Sequence, residues 1–236
     1  ILIDHFSLFL LISDLKNLTL ILLLIFAFNF NANATHNRSG SITYVHLYGN
    51  TYEFTVVTCT KTSSDADRPE LELKYGDGRL DTIVRYDIIP NATYDVQENF
   101  YKGTHTFTGP GTFTISVEDP NRNGGVLNIV NSVNAVFCIQ TQLIISPLIG
   151  TPNNSAIIED CPCPEFACLN QTYCYNLSAY DPDNDSLAYS LVPCRGEDCL
   201  EMSVPNVYNY PHDIGGGNLS IDSITGTLCW ENPQVQ

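Results

Sequence analysis

The segment from Glu70 to Val117 most constrains what this chain can fold into. It opens with Glu70-Leu71-Glu72-Leu73-Lys74, alternating polar and apolar, and runs into Tyr75-Gly76-Asp77-Gly78. It closes with Gly103-Thr104-His105-Thr106-Phe107 and then Pro110-Gly111-Thr112-Phe113-Thr114-Ile115-Ser116-Val117. Side chains two residues apart share one face of a strand, so each run offers an apolar row to a core. Gly accepts positive φ and Pro presets φ near about −65°, so Asp77-Gly78 and Pro110-Gly111 read as tight turns. Ser41 to Tyr48, Thr51 to Thr62, Leu80 to Tyr86 and Val133 to Ile145 add further strand-like runs, with no helical period of useful length between them. Short strands separated by Gly, Pro, Asp and Asn clusters indicate an all-β fold of antiparallel sandwich type.

The chain of 236 residues has room for one or two domains after a leader. Leu18 to Phe28 is almost wholly apolar, Lys16 precedes it and Ala32-Asn33-Ala34 follows. That order reads as a secretory signal peptide cleaved after Ala34, with residues 1–34 outside the fold. A transmembrane anchor is the competing reading, but the run is shorter than the roughly 20 apolar residues a bilayer needs. The mature segment is expected to carry no membrane span and to work outside the cell. The only Met is Met202 and a strand-like pattern runs up to Gln236, so we expect a fragment of a longer protein. The formal charge of −16 argues against a nucleic-acid partner, since phosphate binding needs clustered Lys and Arg. It fits solubility, with divalent cation binding as the narrower alternative.

Export changes how the cysteines are read. There are nine: Cys59, Cys138, Cys161, Cys163, Cys168, Cys174, Cys194, Cys199 and Cys229. In an oxidising compartment they pair, and an odd count leaves one over, its partner expected beyond Gln236. Cys59 and Cys138 fall in an early and a late strand; a bridge between them would constrain the unfolded chain by roughly 3–5 kcal/mol. Cys161, Cys163, Cys168 and Cys174 lie close together. They lack the Cys-x2-Cys knuckles of common zinc sites, so disulfides are preferred to zinc. Cys194 and Cys199, flanking Arg195-Gly196-Glu197-Asp198, read as closing a short loop of their own.

Two units are expected, 35–147 and 148–236, joined at Ile149-Gly150-Thr151-Pro152-Asn153-Asn154-Ser155. In the second, Asp181-Pro182-Asp183-Asn184-Asp185 is an acidic turn feeding a strand in which Leu187, Tyr189 and Leu191 share a face. Asp181, Asp183 and Asp185 repel one another unless screened, and calcium takes about six to eight oxygen ligands, so these three are candidate calcium ligands. The plainer reading is a solvated acidic turn. Glu118 to Gly125 is a second oxygen-rich loop, read as solvated. Asp77 reads as a turn former, and His105 as a strand residue hydrogen-bonding near that turn. There is no His-Glu-x-x-His, Gly-x-Ser-x-Gly or P-loop, and Gly215-Gly216-Gly217 reads as a flexible loop. We therefore expect no enzyme. The Asn-x-Ser/Thr sites at Asn91 and Asn170 read as loop polarity.

Tyr75-Gly76-Asp77-Gly78, His105-Thr106-Phe107 and Pro110 to Val117 together resemble a PKD domain, an immunoglobulin-like sandwich with Trp-Gly-Asp-Gly and His-Thr-Tyr…Pro-Gly-Thr-Tyr-Thr-Val motifs. Tyr75 stands for the usual Trp, Phe107 and Phe113 for Tyr, and the Asp87 to Lys102 connection is longer. Asp181 to Leu191 with Asp222 to Trp230 resembles cadherin-like and Ig-like modules of bacterial surface proteins. Ala34 to Arg38 through Glu118 to Asn123 resembles secreted Bacteroidota proteins of the gliding-motility-associated C-terminal-domain class. The resemblance implies tandem immunoglobulin-like sandwiches at the cell surface, with a non-catalytic structural or adhesion role. Its partners would be other modules of the same chain and surface glycans or proteins. The rival is a carbohydrate-binding accessory module of a secreted hydrolase. It needs a row of exposed aromatics, for which Tyr44, Tyr48, Tyr52 and Phe54 are the candidates.

Overall fold

The structure, a computed structural model, describes residues 37–64, 67–120, 122–148, 152–158 and 168–234. The leader, Cys161 and Cys163 lie outside the described residues. The fold is all-β. Its main body is an antiparallel sheet of seven strands: β1 (Asn37–Tyr48), β2 (Thr51–Thr60), β3 (Glu70–Lys74), β4 (Leu80–Asn91), β5 (Val96–Thr106), β6 (Gly111–Asp119) and β7 (Phe137–Ile145). Their order is β1-β2-β5-β4-β3-β6-β7.

Strand β4 turns this sheet into a sandwich. Its first half, Leu80 to Val84, pairs with β3, and its second half, from Arg85 on, pairs with β5. The register shifts between Arg85 and Asp87. Such an irregularity bends a strand and lets it pass from one layer to the other. The inner faces then meet: Ile42, Phe54 and Val56 from one layer pack with Leu73, Ile115 and Leu143 from the other. Phe54, Leu73 and Tyr75 are fully buried. Burying side chains of this size stabilises by about 1.5–3 kcal/mol each. The Asp77 turn forms as its residue types require. Gly76 and Gly78 take φ of 77° and 88°, the Tyr75 amide donates to the Arg79 carbonyl at 3.0 Å, and the Arg79 amide donates to Asp77 Oδ1 at 3.0 Å.

Beyond β7 the strands are short. β8 (Ile157–Ile158) pairs with β10 (Ala179–Tyr180), while β9 (Tyr173–Asn176), β11 (Asn218–Ile221) and β12 (Thr227–Glu231) form a sheet in the order β11-β12-β9. One helical turn, α1 (Pro211–Gly215), precedes β11. The expected strand at Leu187 to Leu191 is absent. The Tyr189 amide instead donates to the Ser223 carbonyl at 3.0 Å, and its ring lies where a side chain on Gly226 would be. The alternation still shows in burial, with Leu187 and Tyr189 half-buried and Ala188 and Ser190 exposed, but the segment forms no ladder.

Two expected disulfides are corrected. Cys138 bonds Cys199, not Cys59, and Cys174 bonds Cys229. Cys59 stands opposite Ser39 and Glu98 in the β1-β2-β5 layer, whereas Cys138 stands opposite Glu118 in the other. Cys59 is itself disulfide-bonded. Cys194 does not close a loop with Cys199, because the Arg195–Glu201 bridge and the Met202 amide bond to the Cys194 carbonyl set Cys194 opposite Met202. Cys168 and Cys194 are free thiols.

Residues 34–236 form one compact unit. A second cluster, Ile129, Met202 and Tyr208, joins the loop between β6 and β7 to the 194–210 segment. Ile129 bridges Tyr208, the Val130 amide donates to the Val207 carbonyl at 2.9 Å, and the Asn209 amide donates to the Asn128 carbonyl at 2.9 Å.

Candidate functional site

The three candidate calcium ligands sit on one exposed turn, which is closed by protein groups. Asp181 Oδ1 accepts the amides of Asp183 at 2.8 Å and Asp185 at 3.2 Å. Asp183 accepts the Asn154 amide at 2.6 Å on one oxygen and Asn154 Nδ2 at 2.9 Å on the other. Among the described residues, no three His, Cys, Asp or Glu side chains are grouped so as to hold a metal ion.

The aromatic row proposed for glycan stacking is not on the surface. Tyr44, Tyr52 and Phe54 are buried in the sandwich core and only Tyr48 is exposed. Tyr44 and Tyr52 meet edge to face at 6.0 Å, which makes them packing partners rather than a platform. The Asp77–His105 pair forms at 2.9 Å between Oδ2 and Nε2, and the His105 ring stacks on Tyr75 at 4.0 Å. Burial pushes the Asp77 carboxyl up, but hydrogen bonds from His105 and the Arg79 amide outweigh it and hold the group below its ordinary value. The arrangement fixes the turn.

A different place on the molecule gathers unused chemistry. Between the open end of the sandwich and the 122–129 loop lies a cleft of about 670 Å³. Arg38 on β1, Lys61 just after β2 and Arg122 just after β6 line it. These are three of only ten Lys and Arg in a chain of net charge −16. Val126, Ile129 and Cys194 supply apolar lining, and Tyr94 and Asp95 stand on the β4–β5 turn side. A cleft with apolar walls and a few placed polar groups is the usual form of a small-ligand site.

Each cation is positioned by the fold. Residue 122 bridges Asn37, which anchors the loop to the first strand. The buried Arg122 guanidinium donates to the carbonyls of Val136 at 3.2 Å and Arg195 at 2.7 Å and lies 5.4 Å over the Phe137 ring. Burial lowers its pKa, with the Cys194 sulfur acting the other way. Burial likewise pushes the Cys194 thiol up, while Arg122 draws it down. Lys61 pairs with Asp95 at 3.7 Å. Hydrogen bonds from Ser63 hold the Asp95 carboxyl low, and the Lys61 and Arg38 charges reinforce this. Arg38 Nε is buried and has no hydrogen-bond partner.

Sequence reading missed this cleft because its cations lie far apart along the chain and form no motif. Only β1, β2 and the 122 loop, once folded, bring them to one place. Among the described lining residues, Arg122 is the charged group that acts on the Cys194 sulfur. Among the described residues no helix is long and apolar enough to cross a membrane. Comparison of the chain with protein-family models, with curated proteins and with solved structures finds no match.

Proposed function

We propose that this chain is a non-catalytic extracellular module, structural or adhesive, of a bacterial surface protein. The observation that supports this reading most is the bridge from Cys138 to Cys199, which ties the last strand of the sandwich to a segment 61 positions on. Bridges of this reach persist in oxidising compartments and resist unfolding outside the cell. The acidic composition and the motifs resembling PKD and cadherin-like modules point the same way. Surface proteolysis tests the reading. On intact cells producing the full protein, added protease should remove the module without lysis, and deleting it should reduce attachment. Protection of the module until lysis, or unchanged attachment, would count against it.

Calcium at Asp181, Asp183 and Asp185 belongs to the same proposal, supported by the spacing of three carboxylates on one turn. Calorimetric titration of wild type beside Asp183→Ala tests it. No heat at millimolar calcium removes it.

A further inference from the structure

We infer that the open edge of β4 from Leu80 to Val84 binds an extended basic peptide, which adds to the sheet as one more strand. This goes beyond the surface-module reading and does not depend on it.

The topology leaves this edge bare. β3 pairs with Leu80 to Val84 on one side, and the ladder between β4 and β5 begins only at Arg85 opposite Tyr101. β5 runs on through Lys102 to Thr106 with β2 on its other side. Where the two strands part, a gap of about 550 Å³ opens, lined by Asp81, Thr82 and Val84 on one rim and by Lys102 and Thr104 on the other. Buried Tyr75 and Ile83 form its floor.

The direction of the backbone groups follows from two bonds. The Arg85 amide donates to the Pro69 carbonyl at 2.8 Å, on the β3 side. Successive residues of a strand turn their N–H and C=O to opposite edges, so Thr82 turns both into the gap. The Phe107 amide donates to the Asn50 carbonyl at 3.0 Å, on the β2 side. Thr104 therefore turns both of its groups into the gap from the other rim.

Such edges take up further strands unless something blunts them. The edge of β1 is blunted, since Ser155 and Asn154 accept the Tyr44 and His46 amides. Among the described residues nothing does the same for Leu80 to Val84. No Pro, Lys or register shift interrupts the run, and Leu80 and Val84 are more than half exposed.

Side chains and charge select the occupant. Leu80, Thr82 and Val84 form one row along the edge, and Asp81 stands on the other. Glu70 and Glu72 lie opposite Val84 and Thr82 on β3. Asp81, Glu70 and Glu72 are in no ion pair among the described residues, whereas Lys74, Arg85 and Lys102 are held by Glu118, Asp67 and Glu53. Asp81 does act on the Tyr75 hydroxyl, but that group is neutral and leaves the carboxylate charge uncompensated. Arg79 is the remaining cation beside the edge, which stays acidic on balance. A second copy of this chain would bring the same acidic edge and a net charge of −16. A strand that alternates apolar residues with Lys or Arg meets both rows, since opposite charges across a ladder stabilise it and like charges do not.

The test is fluorescence anisotropy of a capped, dye-labelled Val-Lys-Val-Lys-Val-Lys peptide titrated with the purified chain. Two further peptides separate the grounds. Val-Glu-Val-Glu-Val-Glu reverses the charge, and the Lys peptide with alternate amides N-methylated keeps the charge but loses its edge bonds. The Lys peptide should bind, and both others should bind at least about tenfold more weakly. Bound peptide should slow hydrogen exchange of the Thr82 amide. Thr82→Pro removes the amide that faces the gap, at an edge position where a strand tolerates Pro, and should weaken binding about tenfold. Thr82→Ala keeps that amide and should change nothing. If Thr82→Pro does not fold, the N-methylated peptide and the exchange rate in wild type still decide the matter. No binding at millimolar peptide, equal binding of the N-methylated peptide, or unchanged exchange at Thr82 would each overturn the assignment. Dimerisation of wild type that Thr82→Pro abolishes would give the edge to a second copy and overturn it as well.

Discussion

Cys138 on β7 and Cys199 at the tip of the 194–202 hairpin are joined by a disulfide with Cα atoms 5.4 Å apart. The bond closes a long loop that contains the acidic turn, β8, β9 and β10. In the chain-entropy account, bridges of this span stabilise by about 2–4 kcal/mol, chiefly by restricting the unfolded chain. The double variant Cys138→Ser, Cys199→Ser should therefore lose about that much in urea unfolding. Protease should then cut first between Arg195 and Leu200, where the bridge had held the hairpin. A loss below about 0.5 kcal/mol would mean that the remaining contacts of Ile129, Met202 and Tyr208 already hold the hairpin.

Asp183 acts at a distance on the edge of the sheet. Strand β1 ends the seven-strand order, and an open edge invites pairing with other chains. Here Asn154 and Ser155 cover it: the His46 amide donates to Asn154 Oδ1 at 2.8 Å, the Tyr44 amide to Ser155 Oγ at 2.8 Å, and the Ser155 amide to the Tyr44 carbonyl at 3.0 Å. Asp183 holds Asn154 through both carboxylate oxygens. Asp183→Ala should release the strap, losing about 1 kcal/mol in stability. Amide exchange at His46 and Tyr44 should speed up more than in the core of β2. Unchanged exchange at both would show that the strap stays in place without the carboxylate.

How much of this was legible depends on how local the cause was. The Asp77 turn and the strands around it were readable because Gly76, Gly78 and the alternation of Leu71 and Leu73 act within a few residues. The aromatic row was misread because alternation defines two faces without saying which is inward. On β1, Ile42 and Tyr44 face the core while Val45 and Leu47, equally apolar, face solvent. The disulfides were mispaired for a related reason: which layer Cys59 and Cys138 occupy depends on β4 crossing between layers, and no local residue announces that crossing. The cleft is the extreme case, since Arg38, Lys61 and Arg122 meet only through strand pairing.

Gly76 carries a constraint that no other residue can meet. Its φ of 77° lies in the left-handed region, and a Cβ there would stand 2.6 Å from the Thr114 carbonyl oxygen and 2.7 Å from its nitrogen. Both contacts are backbone of β6, which cannot rotate away. Gly76→Ala should destabilise by about 2–4 kcal/mol, from left-handed strain and from the clash together. Thermal unfolding measures it. Gly78→Ala has the same strain but open space around its Cβ, so it should lose only about 1–2 kcal/mol. Equal losses would place the whole effect in φ and remove the clash from the account.

Acid should weaken the fold through two carboxylates held low. A hydrogen bond from Arg85 lowers Asp67, and its own burial opposes this. Burial raises Asp77, but His105 and the Arg79 amide more than reverse it. In each case the folded state binds a proton less readily than the unfolded chain, where Asp titrates near about 3.9. The sign follows: their contribution is complete above the unfolded value and is lost as pH falls through the lower folded values. The urea midpoint should therefore fall as pH drops below about 4. Asp77→Asn should lower the midpoint at neutral pH and flatten the acid limb, because the proton-linked part has gone. Asp67→Asn should flatten it less, since that pair lies nearer solvent, which screens it. A variant limb as steep as wild type would assign the acid sensitivity to other carboxylates.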